Sequence, residues 1–178
     1  MEIETERLLL RMFTPEDAGA LYRIVSDDEF RRYVPRYSPT PEGVAAGIEH
    51  MFAHWRERGY GRWALSPKNS RELLGYCGLR LLPETEEVEI LYGIDRPHWG
   101  RGLVTEAAKA TLRFGFEEAK LERVIALAHP ANKGTRRVME KAGLRYEKQA
   151  VYFDMECAYY ALDRGRYRAD GSLYILRS

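Results

Sequence analysis

The sequence predicts an α/β domain with a mixed, mostly antiparallel central sheet flanked by helices. Three observations carry this reading. Short strand-like runs are separated by turn residues; two amphipathic helices with clear start signals come early; and two strand–helix units, Glu86 to Ala119 and Arg123 to Gly143, sit inside the antiparallel run. At 178 residues, 45% apolar and 31% charged, the chain suits one domain with a real core.

Taken in order, Glu6 to Met12 reads as a Leu-rich strand, and Thr14-Pro15-Glu16-Asp17 supplies a hydroxyl cap, a proline at the first helical position and first-turn carboxylates. Ala18, Leu21, Tyr22 and Val25 then fall at helical spacing. Thr40-Pro41-Glu42 repeats the start signal, and Val44, Ile48, Met51, Phe52 and Trp55 trace a second stripe that stops near Gly59. Arg62 to Ser66 and Leu73 to Leu82 pair as a hairpin through Pro67-Lys68-Asn69-Ser70, and Glu86 to Asp95 is the next strand. A helix from about Leu103 to Ala119, a strand Arg123 to Ala128 and a helix from about Gly134 to Ala142 follow, then strands Arg145 to Tyr152 and Glu156 to Leu162. The tail after Asp163 reads as a solvated terminus or as an oligomer contact such as that of a homodimer.

Lys and Arg number 28 against 27 acidic residues, so no global field draws the chain to nucleic acid or to a membrane surface. Two cysteines, Cys77 and Cys157, lie in apolar strand-like runs and read as buried thiols rather than a disulfide framework or zinc set. No apolar run approaches the ~20 residues of a spanning helix, and the acidic start does not read as a signal peptide, so a cytoplasmic location is expected.

The informative segment is Glu87 to Ala108, where an apolar strand enters a Gly-rich turn and then a helix. Gly100 and Gly102 flank Arg101, so the backbone N–H groups at the helix start are open to an anion, phosphate above all. The Walker pattern fails, because no Lys-Ser or Lys-Thr follows the second glycine. A dinucleotide fingerprint fails differently: Thr105 replaces its third glycine, and Glu122 begins a strand rather than ending one.

The order of motifs resembles the GNAT superfamily of N-acetyltransferases, in particular the branch with the RimJ and RimL ribosomal-protein acetyltransferases. Thr5-Glu6-Arg7-Leu8-Leu9-Leu10-Arg11 with Pro15-Glu16-Asp17 is similar to that branch's opening. Glu89-Ile90-Leu91-Tyr92, Trp99-Gly100-Arg101-Gly102-Leu103 and Thr105-Glu106-Ala107 are similar to its acetyl-CoA motif, and Asn132 to Val138 with Lys141-Ala142-Gly143-Leu144 to its closing motif, Leu144 standing for Phe. The resemblance implies a single GNAT domain over residues 1–163, followed by the tail 164–178, and acetyl-CoA as co-substrate with no metal. It places the pyrophosphate on Gly100 to Thr105 and the pantetheine between two splayed strands. The implied cofactor-binding set is Leu91, Tyr92, Ile94, Trp99, Gly100, Arg101, Gly102, Leu103, Val104, Thr105, Asn132, Thr135 and Arg137. Asn132 is also read as a plain turn or helix cap, and the basic run Arg136, Arg137 and Lys141 as a solvated face or as partners of the adenosine phosphates.

Glu89 matches the strand position that acts as general base in some members, with Glu87 behind it on the same face; Glu84, Glu86 and Glu87 are also explained by a solvated acidic turn. Met139 stands where many members carry the tyrosine that protonates the departing thiolate, which leaves water, Tyr152, Tyr159 or Tyr160. An N-terminal α-amine costs only on the order of 1 kcal/mol to deprotonate at pH 7, against roughly 4–5 for a lysine-like amine, so weak base chemistry suits the former. His50 and His54, four residues apart, lack a third ligand and read as an exposed helix face; His98 and His129 flank the cofactor motifs and read as loop packing or as contacts to CoA or substrate. With no cysteine or serine in a nucleophile setting, direct attack by a primary amine in a ternary complex is expected. The backbone N–H near Leu91 or Tyr92 would polarise the thioester carbonyl, as the resemblance implies. The alternative is a non-catalytic acyl-CoA-binding regulatory or assembly module.

Overall fold

The computed structural model describes residues 1–34 and 38–177. Its strands β1 (Glu2–Glu4), β2 (Leu8–Arg11), β3 (Arg62–Pro67), β4 (Gly75–Leu82), β5 (Glu87–Ile94), β6 (Arg123–Ala128), β7 (Arg145–Tyr152), β8 (Met155–Asp163) and β9 (Ile175–Arg177) form one sheet. The order is β7-β8-β6-β5-β4-β3-β2-β1-β9. Among the described residues every neighbouring pair is antiparallel except β5 with β6. The helices are α1 (Ala18–Ser26), α2 (Asp28–Arg31), α3 (Pro41–Arg58), α4 (Leu103–Glu117) and α5 (Lys133–Lys141). The α/β class with a mostly antiparallel sheet is as the sequence predicts.

The sheet carries a core on each face. On one, Trp63, Cys77, Leu79, Ile90 and Ile94 meet Ala107, Ala108, Leu112 and Phe114 of α4. The rings of Trp55, Trp63 and Phe114 stand edge to face there, with centroids 4.8–5.8 Å apart. On the other, Ala64 and Leu73 meet Leu21, Ile24 and Val25 of α1 and Val44 and Ile48 of α3. The helical stripes read from spacing are the buried faces of α1 and α3.

Several boundaries differ, each for a local reason. The first expected strand is β2, Leu8–Arg11, and a further strand, β1, precedes it; Thr5 bends the chain between them, its backbone N–H donating to the Leu8 carbonyl and its hydroxyl accepting the Leu8 N–H. At Thr14 a short 3₁₀ turn, Pro15–Asp17, precedes α1, opened by a capping box in which the Asp17 carboxylate accepts Thr14 N–H at 2.8 Å. That carboxylate also takes two bonds at 2.8 Å from the buried Arg11, which hold it below the ordinary range although burial opposes them. After α1, Asp27 caps α2 by accepting Phe30 N–H; residues 35–37 lie outside the described residues. The tail is not solvated at its end: Ile175–Arg177 pairs with β1 of the same chain, and Tyr167 stacks on Phe116 at 4.9 Å. His54 is not on an exposed face either. Its Nδ1 lies 2.9 Å from the Tyr60 carbonyl and its Nε2 accepts Leu81 N–H at 3.2 Å, pinning α3 to β4. No helix among the described residues is long and apolar enough to cross a membrane.

Candidate active site

The geometry turns on where β5 and β6 part. Their parallel pairing has a single register point, Glu89 opposite Ile125, after which the strands diverge. Asp95 N–H donates to the Leu74 carbonyl on the β4 side, so odd-numbered backbone groups of β5 are used by β4. Even-numbered groups turn to the gap, and among them Tyr92 lies where pairing with β6 has ceased. Of Leu91 and Tyr92, the strand's period therefore turns the Tyr92 N–H into the gap and the Leu91 N–H toward β4. The Ile94 carbonyl, facing the same way, accepts Trp99 Nε1–H at 2.7 Å, an anchor for a ring otherwise 44% exposed.

Above the gap, the Gly-rich turn delivers the N-terminus of α4. Gly100 and Gly102 have φ of 71° and 76°, a left-handed backbone that any side chain would strain, and Gly102 is the cap. No side chain caps α4, so its first-turn N–H groups, Leu103 to Thr105, keep the open character expected of an anion seat. The seat is braced from the N-terminal segment. Glu106 accepts from Thr5 Oγ1 at 2.7 Å and from Arg7 N and Nε at 2.8 and 2.7 Å, while Arg7 Nη1 donates to the Arg101 carbonyl at 2.8 Å. The side chains of Leu103 and Val104 pack into the α4 core and do not face the seat. Thr105 lies on a second groove of about 460 Å³ with Lys109, Arg113, Lys141 and the tail 167–174.

Across the gap, Asn132 caps α5 by accepting Thr135 N–H at 3.1 Å. Its carbonyl oxygen is committed to that cap; the amide nitrogen of the same side chain is a donor. Arg136 turns inward to Tyr160 Oη and the Pro130 carbonyl, whereas Arg137 is exposed. The Tyr92 hydroxyl crosses the gap and donates to the Thr135 carbonyl at 3.0 Å. Burial holds that phenol well above its ordinary pKa, so it is a donor throughout the neutral range.

A cavity of about 720 Å³ opens on the other face of the sheet, toward α1–α3. Glu89, Leu91, Tyr92, Thr135 and Met139 line it together with Arg62, Tyr76, Arg80, Phe153 and Met155. Glu89 is only 5% exposed and accepts from Arg80 Nε at 2.7 Å. Burial raises its pKa more than Arg80 and Arg62 lower it, which moves this carboxylate toward neutrality. Glu87 is placed differently from what a solvated acidic turn implies: it accepts from Tyr152 Oη at 2.5 Å and Tyr159 Oη at 2.6 Å. Of the tyrosines considered as acids, those two face Glu87, and Tyr160 is fully buried with its hydroxyl on Glu140. The phenol that does reach the gap is Tyr92, on a strand and not on the last helix, and it lines the same cavity as Met139, a placement visible only once the strands are splayed.

A model of the acetyltransferase (GNAT) domain matches residues 7–145. An uncharacterized protein of Bacillus subtilis (strain 168), YkkB, is 31% identical over 173 residues, covering 89% of this chain and 94% of its own. An uncharacterized N-acetyltransferase of the same organism, YoaA, is 30% identical over 147 residues, covering 82% of this chain and 83% of its own. The solved acetyltransferase (GNAT family) from Bacillus anthracis superposes with a TM-score of 0.79 at 29% identity, over 93% of this chain and 99% of that one.

Proposed function

The chain belongs to the GNAT family and is an acetyl-CoA-dependent acyltransferase; we propose that it acetylates a primary amine, a peptide N-terminal α-amine or a small-molecule amine, by direct attack in a ternary complex. One observation carries this reading: the opening between β5 and β6 joins an uncapped helix N-terminus on one face to a buried carboxylate in a cavity on the other. A phosphate-bearing thioester laid on Gly100 to Thr105 and threaded along Tyr92 and Ile94 would bring its acyl end to Glu89.

In this mechanism Glu89 takes the proton of the attacking amine, directly or through water, and the Tyr92 N–H holds the developing oxyanion. Turned from the Thr135 carbonyl, the Tyr92 hydroxyl would donate its one hydrogen bond to the departing sulfur, the task for which Met139 has no donor. Asn132 and Thr135 hold the pantetheine side, and the Lys141 groove holds the adenosine end. Neither cysteine competes as a nucleophile. Burial pushes the Cys77 thiol up to about 12 and raises that of Cys157, so neither supplies a thiolate readily. Calorimetry with acetyl-CoA should give one site per chain, and thiol release with a panel of amines and N-terminal peptides should show amine-dependent turnover. Binding without turnover on any amine would leave only the acyl-CoA-binding half of the reading.

A further inference from the structure

The turn between β7 and β8 has two residues, since Tyr152 pairs directly with Met155. Phe153 and Asp154 have φ of 54° and 57°, the backbone of a hairpin turn that Asn-Gly or Asp-Gly normally fills. A bulky aromatic at the first of these positions is disfavoured by its own backbone. Nor does the ring compensate by burial: it is 51% exposed. It lies instead on the rim of the Glu89 cavity, with the Arg80 guanidinium 5.2 Å from its centroid, and Arg80 in turn holds Glu89. The hairpin tip is tied down beside it, because Tyr152 donates to Glu87. A residue that suits neither its backbone nor the core, yet is fixed over the site, points to a ligand contact.

We propose that Phe153 is a specificity-determining residue whose ring packs against the apolar part of the amine acceptor. This rests on the acyltransfer reading above, and it adds the chemistry of the acceptor. The cavity that Phe153 lines also includes Val25, Met51 and Met155, and its charged groups among the described residues are Arg62, Arg80 and Glu89. A polyamine would bring further ammonium groups against two guanidiniums and a single carboxylate. An amine borne on an aromatic or branched apolar group fits both the charge and the wall.

The test uses the full chain with phenylalaninamide and spermidine as acceptors. The wild type should favour phenylalaninamide in kcat/KM by at least about tenfold. Phe153→Gly removes the ring and suits the left-handed backbone, so Tm should rise by roughly 2–4 °C while KM for phenylalaninamide rises about tenfold and KM for acetyl-CoA stays the same. Phe153→Trp should keep the wild-type amine KM. An unchanged amine KM in Phe153→Gly, or a preference for spermidine, overturns the inference while leaving acetyl transfer intact. Absence of acetyl-CoA binding in the wild type would take down the reading beneath it as well.

Discussion

The two sides of the β5–β6 opening are built from different materials. On the α4 side the anion seat is backbone: a turn with two left-handed glycines, an uncapped helix start, and N–H groups whose direction follows from the strand's period. On the α1–α3 side the site is made of side chains brought in by separate elements: Arg62 from β3, Tyr76 and Arg80 from β4, Glu89 from β5, Phe153 from the β7–β8 turn and Met51 from α3. On the proposed reading the backbone seat takes what does not vary in the reaction, the phosphate end of the donor. A side-chain cavity can be rebuilt one residue at a time, and it is where relatives with one fold can differ in acceptor. The comparison makes separable claims: damage on one side should change donor binding, and damage on the other should change turnover or acceptor selection.

The largest separation is expected at Glu89. Glu89→Gln removes the base and keeps the shape, so kcat at neutral pH should fall by about 10²-fold or more while the acetyl-CoA dissociation constant is unchanged. The pH profile supplies the sign. The base works as a carboxylate, so the rate climbs as pH rises through its pKa, and because burial raises that pKa the climb should lie above the ordinary value of 4.5. In Glu89→Gln the climb should vanish; if it persists, another group is the base. Gly102→Val is the complementary change. Gly102 Cβ would meet only the tip of Arg7 at 3.5 Å, so the cost is conformational, of order 1–3 kcal/mol at a φ of 76°, and it falls on the seat. Acetyl-CoA affinity should weaken by about tenfold or more by calorimetry, with the amine KM little altered. Equal losses in both constants would mean that the two sides are not independent.

The same division explains what the sequence revealed. A phosphate seat is local: Gly100, Gly102 and the helix after them are contiguous, so a few letters specify it, and the strand–helix units around it follow from hydrophobic period alone. The acceptor side is not local. Arg80 and Glu89 face each other only through the β4–β5 register, and Arg62 joins them through β3 opposite Gly78. Glu87 reads as one of several acids in a turn until β7 and β8 bring two phenols onto it. His54 looked exposed because its partners, Tyr60 and Leu81, come from beyond the helix. The short edge strands β1 and β9 escaped for a related reason: three residues carry too little alternation to be read, and their pairing is set by chain ends meeting across the sheet. The phenol beside the gap needed the splay itself, since Tyr92 is an ordinary strand residue unless β6 has turned away.

Tyr92 offers a smaller effect that sits on the boundary between the two sides. Its N–H belongs to the backbone wall and its hydroxyl to the side-chain wall, so Tyr92→Phe deletes one function and spares the other. The expected result is a kcat lower by about tenfold, the size of one lost hydrogen bond to a charged atom, with acetyl-CoA affinity retained. Met139→Tyr in that background should restore part of the rate, because it returns a phenol to the same stretch of the cavity. Loss of acetyl-CoA affinity in Tyr92→Phe would instead assign the hydroxyl to holding the donor.

The smallest effect is expected at the support beneath the acceptor side. Burial alone would raise the Glu87 pKa, but hydrogen bonds from Tyr152, Tyr159 and Thr85 and the charge of Lys148 outweigh it and hold the group low. A carboxylate lowered by folding contributes stability that is present above its unfolded value, near 4.5, and is lost as pH falls through the lowered one. Tyr152→Phe removes one of its donors and should cost about 1 kcal/mol at pH 7, read as a shift in urea midpoint with an unchanged slope. The cost should shrink as pH falls through the lowered pKa, where Glu87 becomes protonated in either chain. Because Tyr152 also anchors the tip that carries Phe153, the acceptor KM should rise two- to threefold by about the same free energy, with no change for acetyl-CoA. A stability loss that does not fade in acid would mean that Tyr152 acts through packing against Tyr159, 6.1 Å away between centroids, and not through the carboxylate.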